Sequence, residues 1–140
     1  MPDIETRADL ERLVRAFYGR ALTDEIIGFI FTDVAKLDLE AHVPVITDFW
    51  ETMLLGGASY RGGVYGKHLR LHEKVTLRPG HFSRWLQVWH ETVDELFAGP
   101  VADRAKDHAV RVAGGFMRRL AGRPDPVATG GLVVTQHGKR

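Results

Sequence analysis

The feature that most constrains this chain is a series of amphipathic stripes with a period near 3.6 residues, separated by segments rich in Gly and Pro. The clearest runs from about His81 to Ala98, where Phe82, Trp85, Leu86, Trp89, Val93, Leu96 and Phe97 fall on one side of a helix. Gly99-Pro100 breaks it. A second stripe, Leu10, Leu13, Val14, Phe17, Tyr18 and Ala21, predicts a helix from about Thr6 to Leu22. Asp24 is suited to cap a short helix ending near Phe31. A further helix spans roughly Leu39 to Leu55, with His42, Ile46, Phe49, Trp50 and Met53 inward. Pro44 has no N–H to donate and suits only a first turn, which puts the regular start near His42. The last helix covers about Ala102 to Ala121, with Ala105, Ala109, Val112, Phe116 and Leu120 inside. Its Gly114-Gly115 pair costs about 1 kcal/mol per residue relative to Ala, which predicts close backbone approach by a neighbour.

Between these helices, Gly56-Gly57 is a stop, and Ala58 to Gly66 reads as a loop. A short helical turn over about Lys67 to His72 follows, then a loop closing at Arg78-Pro79-Gly80. Strand signals are almost absent. The expected fold class is all-α, with four main helices and two short ones. A length of 140 residues with 44% hydrophobic content supports one domain, residues 1–121, around a real core. Residues 122–140, with their prolines, glycines and sparse apolar content, are expected to form a disordered tail.

Composition narrows the chemistry. No Cys is present, so disulfides, thiolate haem ligation, Cys-type zinc sites and iron–sulfur clusters are excluded. The formal net charge is +1, and the basic clusters at Arg118-Arg119 and Lys139-Arg140 read as a solvated helix face and a tail. No nucleic-acid partner is expected. No apolar run approaches the roughly 20 residues that span a bilayer, and the N-terminus lacks the pattern of a signal peptide. The expectation is a soluble, cytoplasmic protein with no membrane partner.

Tyr18, His42, His68 and Trp85 each put polar or ligating chemistry beside apolar sequence. Taken singly, Tyr18 and Trp85 read as ordinary core residues and His68 as a surface or capping histidine. Buried phenol and indole groups need hydrogen-bond partners, so their convergence would make a binding site. His68 and His72 stand at i, i+4 and could suit zinc, but no Cys or well-placed third ligand supports them. His81 reads as a solvent-exposed helix start, His90 and His108 as surface residues, and His137 as part of the tail.

The matching pieces are Ala16-Phe17-Tyr18, Ala41-His42, the block Phe49-Trp50-Glu51-Thr52-Met53-Leu54-Leu55-Gly56, Tyr60, Lys67-His68-Leu69, and Phe82-Ser83-Arg84-Trp85-Leu86. In this order and spacing the chain resembles a truncated haemoglobin, and is most similar to the third group. The resemblance implies a two-on-two helical sandwich holding haem b (iron protoporphyrin IX). It makes His68 the proximal iron ligand, and Tyr18, His42 and Trp85 the distal residues facing the ligand. Tyr60 and Lys67 match positions that contact the haem propionates, and the Lys67 cation suits an anionic partner. Phe17, Phe49, Trp50 and Trp89 would line the porphyrin or its surrounding core, with His72 near the haem edge. Pro44, so close to His42, would let that side chain swing outward.

The expected ligands are dioxygen, nitric oxide or similar small molecules. Several hydrogen-bond donors around a bound ligand slow its escape when water is excluded. That favours nitric oxide oxidation or peroxide chemistry, with a separate reductase to recycle the iron. The alternative is a reversible oxygen binder or gas sensor without turnover. A cofactor-free helical interaction module is a further reading. It predicts a colourless protein indifferent to haemin.

Overall fold

The structure, a computed structural model, describes residues 1–34, 36–57 and 77–121. Among them there is no strand. Helix α1 spans Arg7–Ala21, α2 Leu39–Leu55, α3 Pro79–Leu96 and α4 Pro100–Ala121, with a π-helical segment at Ile30–Val34. Helix α1 packs against α2 and α3, and α3 packs against α4. This is two helices laid across two, as expected. The turn at Lys67–His72 and the tail at 122–140 lie outside the described residues.

Helix α1 starts where a polar cap satisfies its first amides. The Thr6 hydroxyl accepts from the Asp9 N–H, and the Asp9 carboxylate accepts from the backbone of Thr6. Its buried face is the predicted one: Leu10, Leu13, Val14, Phe17, Tyr18 and Ala21. Asp24 does act as a cap, accepting from the amides of Ile26 and Ile27. The helical turn that follows runs on past Phe31 to Val34 with π geometry.

Helix α2 departs from expectation in two ways. It starts at Leu39, with Asp38 accepting from the Ala41 N–H, so Pro44 lies in the second turn. The carbonyl of Glu40 therefore lacks its usual i+4 amide donor. The deepest stripe is Val43, Thr47, Trp50 and Leu54, and Met53 is 39% exposed. Thr47 reads as polar in the sequence, which shifts the apparent stripe by about one residue. His42, Ile46 and Phe49, at i, i+4, i+7, form an adjoining half-buried face.

Helix α3 begins earlier than expected, because Pro79 supplies the first position, where no N–H is needed. It ends at Leu96, and Phe97 continues into the core in extended conformation, 2% exposed. Helix α4 likewise begins earlier, at Pro100. Asp3 caps it, accepting from the amides of Val101 and Ala102. Its buried stripe is Ala102, Ala105, Ala109 and Ala113, while Val112 and Phe116 are half-buried. Alanines allow close approach to α3, so the Trp89 indole N–H donates to the Ala105 carbonyl at 3.2 Å. No neighbouring backbone among the described residues approaches Gly114 or Gly115, contrary to expectation.

Candidate functional site

The site is assembled from the core outward. Tyr18 lies near the C-terminal end of the buried face of α1 and is 5% exposed. Its hydroxyl lies 2.7 Å from Nε2 of His42 on α2. The two residues are far apart in sequence, and the pairing of α1 with α2 brings them together. Pro44 does not turn His42 away. His42 is half-buried, with its ring edge-on to that of Tyr18, 5.2 Å between centroids.

Aromatic rings hold Tyr18 on its other sides. Phe17 packs edge-on at 5.0 Å and Phe31, from the π-helical segment, at 5.7 Å. Phe31 was missed by sequence reasoning. Its signal was an aromatic ring within a short apolar run, indistinguishable there from ordinary core. Burial pushes the Tyr18 phenol well above its usual range. The phenol therefore stays protonated and serves as a donor or acceptor of hydrogen bonds, not as a phenolate base.

Trp85 reaches the same cluster through Phe17, 6.0 Å away edge-on. It is half-buried, and its ring lies nearly parallel to that of Trp89. Phe49 is half-buried on the His42–Ile46–Phe49 face of α2. Trp50 is 2% exposed, stacked on Trp89 at 4.7 Å and edge-on to Phe49. It therefore stands in the core behind Phe49. His68, Tyr60, Lys67 and His72 lie outside the described residues.

Three histidines differ from their sequence reading. The Arg78 N–H donates to Nδ1 of His81, which caps α3 and packs on Phe29. Burial, then the nearby Arg78 cation, holds the His81 pKa below its usual value. His108 is half-buried, with its ring 6.0 Å from Trp50 and 6.4 Å from Phe49. Burial, then Arg111, lowers its pKa too. His90 is half-buried and donates through Nε2 to the Lys106 carbonyl at 3.2 Å.

The segment carrying Phe31 is tied down by an ion pair that the sequence did not reveal. Arg84, beside Trp85, places Nε and Nη2 at 2.9 and 2.6 Å from Oδ1 of Asp24. The Asp24 side chain is 5% exposed. On the outer side of α1, Arg15 makes a two-pronged contact with Glu40, two residues before His42.

Chemically, this is a hydroxyl and an imidazole among neutral rings. Among the described residues no group of three or more His, Cys, Asp or Glu side chains could hold a metal ion. The half-buried face of His42, Ile46 and Phe49 on α2 adjoins the buried Tyr18 hydroxyl.

No family model matches the chain, and no curated protein matches its sequence. The fold is that of a solved structure, the crystal structure of group III truncated hemoglobin from Campylobacter jejuni. The TM-score is 0.73 over 86% of this chain and 95% of that chain, with 24% sequence identity. No helix among the described residues is long and apolar enough to cross a membrane.

Proposed function

We propose that this chain is a cytoplasmic haem protein that binds dioxygen or a similar diatomic ligand, and that it carries out chemistry on that ligand. The reactions that suit it are oxidation of nitric oxide to nitrate and reaction with peroxide. The observation that carries this reading is the 2.7 Å contact between Tyr18 and His42 within a truncated-haemoglobin fold. Haem b would be held by His68 on one side, with Tyr60 and Lys67 at its propionates, His72 at its edge, and Phe49 against the ring. When bound, the haem supplies a redox-active iron with an open position for a small ligand. A separate reductase would return that iron to the ferrous state.

The protein's own part is to place protons and exclude water. The Tyr18–His42 contact has two forms, set by the imidazole tautomer. If Nε2 is bare, the Tyr18 O–H donates to it and is not available to a ligand. If Nε2 carries the proton, it donates to the Tyr18 oxygen, and the Tyr18 O–H is left to point at a ligand. His42 thereby selects the direction in which Tyr18 donates. The Trp85 indole N–H, one ring beyond Phe17, would be a second donor. Rings at Phe17 and Phe31 keep the surroundings apolar, which strengthens each of these bonds.

The test is to mix the dioxygen complex with nitric oxide and follow nitrate. Stoichiometric nitrate formed faster than dioxygen escapes supports the reading. Escape of dioxygen with no nitrate, and no turnover of peroxide, would favour a reversible binder or gas sensor.

A further inference from the structure

The chain contains three tryptophans, and all of them lie in one stack. Trp85, half-buried beside the candidate site, is nearly parallel to Trp89 (5° between planes, centroids 6.1 Å apart). Trp89 is in turn nearly parallel to Trp50, at 16° and 4.7 Å. Both separations fall within the range of offset-stacked rings. Trp89 and Trp50 are 1% and 2% exposed. The ring of half-buried His108 lies edge-on against Trp50, at 6.0 Å. A file of three easily oxidised rings therefore leads from the candidate site into the core, where Trp50 meets His108 on α4.

We propose that Trp85, Trp89 and Trp50 form a path for single electrons, from a reductant at the α4 surface to the candidate site. This inference rests on the haem reading above. The i, i+4 spacing on α3 sets Trp85 beside Trp89, and the packing of α2 against the bundle adds Trp50 to the same parallel file.

The local chemistry suits transfer. The Trp89 N–H donates to the Ala105 carbonyl at 3.2 Å, and a carbonyl does not take up a proton at neutral pH. An oxidised Trp89 thus keeps its proton and remains able to draw an electron from Trp50. Its positive charge faces the π-systems of two neighbouring indoles, which stabilise a cation.

At the outer end, Arg104 and Arg111 stand at i−4 and i+3 from His108, on the same face of α4. Arg111 Nη2 donates to His108 Nδ1 at 3.3 Å. Arg104 also donates to the Leu54 carbonyl, so the exposed Arg111 is the cation at this end, and it suits a small anionic one-electron donor such as ascorbate.

The electron balance closes with hydrogen peroxide as oxidant and ascorbate as reductant. In the haem-loaded chain the O–O bond of hydrogen peroxide would break at the site, and Trp85 would supply the electrons one at a time. The vacancy moves to Trp89, then to Trp50, and ascorbate refills it while releasing a proton to water. Two such transfers with two protons reduce one hydrogen peroxide to two water molecules.

The test maps oxidised tryptophan by peptide mass spectrometry. The haem-loaded chain is treated with hydrogen peroxide, with and without ascorbate, beside Trp89→Phe. A second arm uses the chain without haem and a photo-generated ruthenium tris-bipyridine oxidant, which from solution meets half-buried Trp85 before buried Trp50. The expected result in both arms is oxidation products at Trp50 as well as Trp85. Trp89→Phe, checked for fold by circular dichroism, loses those at Trp50, and ascorbate suppresses both. Products confined to Trp85 in the parent, or persisting at Trp50 in Trp89→Phe, would overturn the path. If haem does not bind, or peroxide leaves its spectrum unchanged, the haem reading fails, and the photo-oxidant arm still decides the path.

Discussion

The Tyr18 hydroxyl and His42 Nε2, carried on different helices, lie 2.7 Å apart in a setting of aromatic rings. Removing the phenol oxygen by Tyr18→Phe deletes a ligand donor while keeping the ring that packs on Phe17 and Phe31. The dioxygen dissociation rate of the haem-loaded protein should rise about tenfold or more, since about 1.4 kcal/mol, the scale of one such hydrogen bond, is a factor of ten. His42→Leu should change that rate less in the Tyr18→Phe background than in the parent, because His42 acts through Tyr18. Stopped-flow displacement by carbon monoxide measures both. Equal effects of His42→Leu in the two backgrounds would separate the residues.

Asp24 is held well below the usual carboxylate range, first by its bonds to Arg84 and then by the amides of Ile27 and Ile26. A depressed folded pKa means the contribution is present above the unfolded value near 3.8 and is lost as pH falls through the folded value. Arg84→Ala leaves a buried carboxylate with only its amide bonds. It should lower Tm by several degrees at neutral pH and flatten the acid limb of the stability profile. The same variant should speed ligand escape, because the Asp24 turn leads into the segment that sets Phe31 on Tyr18. Calorimetry from neutral to acid pH, alongside the dissociation rate, checks both outcomes.

His81 and His108 titrate in the other familiar window. Burial is the first cause in each case, and both folded pKa values lie below the ordinary 6.5. The unfolded chain then binds more protons than the native one between the folded and unfolded values. Stability is complete above about 6.5 and declines as pH falls from there through the folded values. Denaturant midpoints measured from neutral to mildly acid pH should fall accordingly, and His81→Gln with His108→Gln should reduce the slope. A midpoint that rises on acidification would contradict the assignment.

The sequence carried the architecture because its apolar periodicity is strong. The buried face of α1 matches the stripe residue for residue, and the α3 stripe is correct at Phe82, Trp89 and Val93. It failed where burial involves residues that hydropathy undervalues. Thr47 and Thr92 are buried, the latter with its hydroxyl bonded to the Val88 carbonyl at 2.7 Å. The inner stripe of α4 is alanine, so the larger Val112 and Phe116 misled. Pro44 and Pro79 shifted helix starts because polar caps and the N1 preference, not apolar content, set those boundaries. Resemblance selected Tyr18, His42 and Trp85, since no local pattern links residues on separate helices. The Asp24–Arg84 pair, the place of His108 on Trp50 and the file of tryptophans are products of packing. Pairings across helices are not written in any single stretch of chain.

The central claim is that this helical sandwich holds haem through His68. The most direct measurement is the visible absorption spectrum of the purified chain after reconstitution with haemin, beside His68→Ala. The account predicts a Soret band in the parent that is lost or strongly altered in the variant. No Soret band in the parent, or an identical one in His68→Ala, would contradict it.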